Sequence, residues 1–200
     1  MALKFAVNNS LSAVTSLPAS IPTGSMTLLQ TQTASSSATI DFTSNIDSTY
    51  DSYVFKFYNM HPATNDVILT FNGSTDSGSN YNVTKTTTFF VARHSESGSS
   101  NFGYVTNRDE AQSTSAQKLN YDIGNLDDED VCGTLTLYNP SSTTFVKHFI
   151  SRAVGNGQAE ECHDSYVAGY FNTTSAVNGI RFQMSSGNID SGVIKLYGIS

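Results

Sequence analysis

The chain has 200 residues and a formal net charge of −7, with ten Lys and Arg against seventeen Asp and Glu. Its basic residues stand singly along the sequence, which speaks against the clustered phosphate contacts of a nucleic-acid binder and against adhesion to an anionic membrane surface. No run approaches the eighteen or so apolar residues of a membrane span. Ser, Thr and Asn fill roughly a third of the chain, a usage that suits turns and half-buried strands whose surface is polar through hydroxyls and amides.

The first 25 residues differ from the rest. The opening Met-Ala-Leu-Lys-Phe-Ala-Val-Asn-Asn-Ser lacks the apolar core of a signal peptide, so synthesis in a cytoplasm without export is expected. Pro18 and Pro22 then frame Ala-Ser-Ile, and Leu11, Val14, Leu17 and Ile21 are apolar. Two prolines four apart favour an extended segment over a helix. Leu11, Val14, Leu17, Pro18, Ile21 and Pro22 are therefore candidate attachment residues of an N-terminal arm. Such an arm packs on its own domain, docks on a neighbour or frays.

From Met26 the chain reads as short strands at regular spacing: Met26–Gln32, Ala38–Thr43, Ser52–Asn59, Asp66–Asn72, Thr84–Arg93, Phe102–Thr106, Val131–Tyr138, Thr144–Arg152, Ser165–Asn172, Asn178–Met184 and Val193–Ile199. Tyr53, Phe55 and Phe57 share one face of the third. Phe89-Phe90-Val91 in the fifth also fits the opening of a short helix. In Val131–Tyr138 the apolar Val131, Leu135 and Leu137 oppose Thr134 and Thr136, and around Phe145–Ile150 both Phe145 and Phe149 are set against Lys147. The last two segments flank Ser185-Ser186-Gly187-Asn188, the pattern of a β-hairpin. Polar turn-forming connectors, such as Ser74–Asn80 and Ser95–Asn101, separate the strands. No window shows a 3.6-residue period. The expected fold is all-β: an antiparallel two-sheet β-sandwich, jelly-roll-like, over residues 26–200, preceded by an extended arm over residues 1–25.

Residues able to do chemistry are sparse. Cys132 and Cys162 have no metal-ligand spacing and read as two buried free thiols, with a disulfide as the alternative. His163 lies in Glu160-Glu161-Cys162-His163-Asp164, yet adjacent strand residues point to opposite faces, so Cys162 and His163 are not expected to cooperate. A polar strand edge or loop is the simpler reading of that stretch. The run Asp127-Asp128-Glu129-Asp130 reads as a solvated acidic loop, since it lacks the alternating frame of a calcium site. No nucleophile elbow, phosphate loop or zinc-protease motif occurs in the sequence, and neither an enzyme nor a cofactor is expected. The ten tyrosines offer another chemistry, because exposed Tyr beside Asn and Asp stacks on and hydrogen-bonds sugars. Tyr81, Tyr104, Tyr121 and Tyr166 lie near expected loops and are candidate ligand contacts, with burial in a core or interface as the alternative.

Three segments resemble virion structural proteins of tailed marine bacteriophages such as cyanophages. They are the opening Met1–Ala6 with Asn8–Ala13 and Leu17–Ser20; Ile46-Asp47-Ser48-Thr49-Tyr50-Asp51 with Tyr53-Val54-Phe55; and Met184–Ile189 with Gly192–Ile199. The resemblance implies a non-enzymatic β-sandwich attached to the virion as a capsid-surface decoration or fibre-like subunit. It implies other virion proteins as partners and a homo-oligomer, a trimer by expectation. The alternative is a receptor- or carbohydrate-binding module that touches a host surface glycan.

Overall fold

The computed structural model describes residues 26–200, and the candidate arm with Leu11, Val14, Leu17, Pro18, Ile21 and Pro22 lies outside the described residues. Twelve strands and no helix occur among them: β1 Thr27–Ser37, β2 Ile40–Phe42, β3 Ser52–Pro62, β4 Leu69–Ser74, β5 Lys85–Ser95, β6 Ser100–Tyr104, β7 Gln117–Lys118, β8 Val131–Tyr138, β9 Lys147–Gly157, β10 Glu161–Phe171, β11 Gly179–Met184 and β12 Ile189–Ile199. The ambiguous stretch around Phe89 is strand. Thr87, Phe89 and Val91 are buried, while Thr86, Thr88 and Phe90 reach the opposite face, a period of two that no helix can present.

The strands form two antiparallel sheets, one of eight in the order β1-β12-β3-β8-β9-β10-β5-β6 and one of four in the order β2-β11-β4-β7. Setting aside β5, β6, β9 and β10 leaves β1-β12-β3-β8 facing β2-β11-β4-β7, the interleaved order of a jelly-roll-like wrap. The four remaining strands extend the first sheet beyond β8. They are inserted between β4 and β7 and between β8 and β11, so the extension belongs to the large sheet alone.

The closing segments are not a paired hairpin. β11 pairs with β2 and β4, and β12 with β1 and β3, so the chain changes sheet at Ser185–Asn188. Both strands keep their apolar faces inward, and Phe182, Met184, Ile194 and Leu196 are all buried in one core. The corner is held from outside: the Ile68 N–H donates to Ser185 Oγ at 3.0 Å, and Asn188 Nδ2 donates to the Ser36 carbonyl at 2.9 Å. Local alternation is the same for a hairpin and for a corner between sheets, which is why the sequence pattern did not separate them.

Phenylalanines join the two sheets. The Phe182 ring lies 5.4 Å from Phe55, 6.2 Å from Phe42, 6.4 Å from Phe71 and 6.5 Å from Phe57. Phe71 continues to Phe149 at 5.1 Å and Phe171 at 6.1 Å, linking the small sheet to the inserted strands. Edge and tilted contacts of this kind add to the area buried.

Lys147 corrects a further expectation. It does not oppose Phe149; the two share the inner face of β9 while Phe145 is exposed. The Lys147 ammonium is capped by the carbonyls of Phe145 (2.8 Å) and Thr173 (3.1 Å), and burial lowers its pKa.

Gly133 sits opposite Phe57 in the β3–β8 ladder. A Cβ there would lie 2.5 Å from the Arg152 carbonyl and 2.6 Å from the Phe57 ring. Gly133→Ala is expected to cost about 1–3 kcal/mol by overpacking, measurable as a lower urea midpoint with unchanged slope.

Candidate functional site on the outer face of the large sheet

The register of the eight strands places one residue from each in a single cross-strand row on the outer face. In order it runs Thr31, Lys195, Lys56, Thr134, Arg152, Tyr166, Phe90 and Tyr104. Seven strand spacings make it about 34 Å long. One half carries cations and the other aromatic rings.

In the aromatic half, Tyr166 and Phe90 are stacked with centroids 4.8 Å apart and planes 6° from parallel. Phe102 packs edge-on to Phe90 at 5.7 Å and is 71% exposed, and Tyr104 is 53% exposed. Arg152 lies over the other side of Tyr166, 5.0 Å from the ring centre, and binds Asp164 through two N–H groups at 2.9 and 2.7 Å. The Tyr166 hydroxyl donates to the same carboxylate at 2.8 Å. The Arg152 contact holds the Asp164 carboxyl below its usual range, and donation to that carboxylate raises the Tyr166 hydroxyl. The Tyr104 hydroxyl donates to a second carboxylate, that of Asp109.

In the cationic half, Lys195 and Lys56 are direct cross-strand partners. Lys56 lies over Tyr197 at 5.5 Å and Lys195 over Tyr58 at 5.8 Å. Between Lys56 and Arg152 the small residues Gly133 and Thr134 leave a groove of about 550 Å³, lined also by Tyr58, Cys132, Val154 and Asp164.

The four candidate tyrosines divide. Tyr104 and Tyr166 meet on this face on either side of Phe90, and Tyr166 belongs to a strand, not a loop. Tyr81 and Tyr121 are elsewhere. Tyr81 is covered by Arg181 at 4.1 Å, the same Arg181 that is doubly bonded to Asp41, and burial raises its hydroxyl pKa. Tyr121 is half-buried against the core between Arg93 at 4.5 Å and Arg108 at 5.2 Å. Lys56, Lys195, Tyr58, Phe90, Phe102, Arg152 and Asp164 were not singled out from sequence. Their signal was present in the strand alternation, since each occupies the face opposite the buried one.

His163 is on a central strand and 1% exposed, not at an edge or in a loop. Nε2 is 3.1 Å from Glu161, and Nδ1 is 3.4 Å from Asp122, whose carboxyl is pushed up by burial. Tyr121 packs edge-on at 5.1 Å, and Gly157 leaves the room that a Cβ would take from both His163 and Asp122. The arrangement places a buried imidazole between two carboxylates, one on the loop after β7 and one on β10. Cys162, the neighbour of His163, faces the other way as expected.

Both cysteines are free, but neither is fully buried: Cys132 is half-buried and Cys162 exposed on the outer face. In the acidic run, Asp127 and Asp128 face solvent. Glu129 turns inward to accept the Leu126 N–H at 2.7 Å, and Asp130 accepts Asn59 Nδ2 at 2.7 Å.

Comparisons with protein-family models, with curated proteins and with solved structures find no match to this chain.

Proposed function

We propose that the chain is a non-enzymatic structural component of a tailed-phage virion, a capsid-surface decoration or fibre-like subunit. It is held to other virion proteins by residues 1–25 and self-associates as a symmetric oligomer, a trimer by expectation. The observation that carries this reading is the edge of the large sheet at β1. This strand runs eleven residues, Thr-Leu-Leu-Gln-Thr-Gln-Thr-Ala-Ser-Ser-Ser, with no charge and no proline, and its outer edge is unpaired among the described residues. The other three sheet edges, β6, β2 and β7, are five, three and two residues long. Edge strands are ordinarily kept short, charged or interrupted by proline to prevent pairing, so a long neutral one supports assembly. The jelly-roll-like wrap is compatible with this role.

Deleting residues 1–25 is expected to leave a folded sandwich that no longer co-purifies with particles. Placing lysines on the edge, Thr31→Lys with Thr33→Lys, is expected to lower the oligomer mass in sedimentation. Normal incorporation of the truncated protein refutes the arm, and an unchanged mass for the double variant refutes the edge.

A second reading, a carbohydrate-binding module on a host-facing surface, is favoured by one observation: the stacked Tyr166–Phe90 pair flanked by exposed Phe102 and Tyr104. The two readings are compatible in one particle protein.

A further inference from the structure

We infer that the outer-face row binds an anionic polysaccharide, with its acidic groups on Lys195, Lys56 and Arg152 and its sugar rings against the neighbouring aromatic side chains. The inference deepens the carbohydrate reading and rests on it; it does not depend on the virion role.

The unexplained feature is the lysine pair. Like charges directly opposite across two strands destabilise a sheet. This chain has seventeen acidic residues with which to neutralise ten basic ones, yet Lys56 and Lys195 face each other with no carboxylate within ion-pair distance among the described residues. The other three lysines described are each capped: Lys118 by Glu110, Lys85 by the Ser115 carbonyl and Lys147 by two carbonyls. Of the two uncapped lysines, Lys56 borders the groove whose other wall is Arg152, and Lys195 stands one strand further along the row. The Arg152 side chain is 64% exposed, and only its Nε and one terminal nitrogen are used by Asp164, so its remaining N–H groups can donate outward. Acidic groups set against these cations offset the Lys–Lys repulsion and gain charge-assisted hydrogen bonds.

The aromatic half selects the kind of anion. Tyr58 at the groove and Phe102 and Tyr104 at the far end of the row expose their rings on a broad sheet, not a closed pocket, with the stacked Tyr166–Phe90 pair between them. A flat row about 34 Å long accommodates an extended chain of rings with acidic groups at intervals. The overall charge of −7 opposes a nucleic acid, whose phosphates are continuous and closely spaced.

The test uses the full chain against four probes: alginate as a polyuronate, dextran sulfate, neutral dextran and a single-stranded DNA oligonucleotide, by biolayer interferometry at two salt concentrations. Alginate or dextran sulfate is expected to bind, more weakly at high salt, with neutral dextran and DNA much weaker. Lys56→Gln and Lys195→Gln are each expected to reduce binding about tenfold or more, while leaving the melting temperature unchanged or raised because a like-charge contact is removed. Tyr104→Ala is expected to cost about threefold to tenfold. Equal binding of neutral dextran, unaffected by the lysine variants, overturns the anionic assignment and keeps the carbohydrate reading. Failure of every polysaccharide overturns both. DNA binding as tight as the polysaccharides, or indifference to Tyr104→Ala, overturns the polysaccharide assignment in favour of charge alone.

Discussion

Phe182→Ala is expected to lower the unfolding free energy by about 3–5 kcal/mol and the melting temperature by roughly 10 °C. Phe182 is fully buried at the centre of the jelly-roll-like wrap and contacts four other aromatic rings drawn from both sheets. Removing the ring deletes its own transfer free energy and also leaves a cavity that the surrounding rings cannot readily fill, since they are anchored on three strands, β2, β3 and β4. The loss is expected at the upper end of that range for this reason. Urea unfolding checks it: the midpoint should fall while the slope stays constant. Phe145, 70% exposed, is the internal comparison, and Phe145→Ala is expected to change stability by less than about 0.5 kcal/mol. Similar losses at the two positions would mean that the sheets are not packed through Phe182.

The second large effect is electrostatic. Lys85 is fully buried on the inner face of β5, donates to the Ser115 carbonyl at 2.5 Å and lies 6.0 Å from the Phe171 ring centre. Burial lowers its pKa to about 8, with Glu110 acting in the opposite direction. Below pH 8 the folded chain holds a buried charge that the unfolded chain keeps in water. Between pH 8 and the ordinary lysine value of 10.5, the unfolded chain retains a proton that the folded chain has lost, so stability rises with pH by roughly 3 kcal/mol over the whole window. Above pH 10 the buried Tyr53 hydroxyl, whose pKa is raised by burial, acts with the opposite sign. The interval free of that opposing effect is pH 8 to 10, where Lys147, whose pKa burial also lowers, adds to the rise. Lys85→Met keeps the volume and removes the charge. It is expected to gain about 1–2 kcal/mol at pH 7, the relief of desolvation less one hydrogen bond, and to flatten the rise between pH 8 and 10. Urea unfolding at pH 7, 8, 9 and 10 reads both effects, and a wild-type protein with no rise over that interval would refute the assignment.

Strand existence was legible because a half-buried strand repeats every two residues. Val131–Tyr138 was read to the residue, and every other expected segment overlaps an observed strand. β7 was missed because Gln117-Lys118 is too short to alternate. β9 and β10 extend further toward each other than expected. Gly155-Asn156-Gly157 has turn composition, but Gly155 and Gly157 lie in β9 because Val131 and the His163–Asp122 pair occupy the space a side chain would need. Lys85 and Lys147 escaped for a related reason: a lysine in an alternating strand reads as outward-facing, and only nearby carbonyls make the inward position tolerable. Of the four tyrosines, Tyr104 and Tyr166 share the outer face, whereas Tyr81 and Tyr121 are covered by arginines.

By itself, then, the sequence determined the class of fold, since side-chain alternation and turn chemistry are local and each strand declares which of its faces is apolar. Tertiary structure alone decided which strands lie side by side. It separated β11 from β12 into different sheets, and it brought Lys195, Lys56, Arg152, Tyr166, Phe90 and Tyr104 into one row from six strands spread over about 140 positions of the chain. Register across a sheet is set by long-range pairing, and no residue in the row carries a local sign of its neighbours.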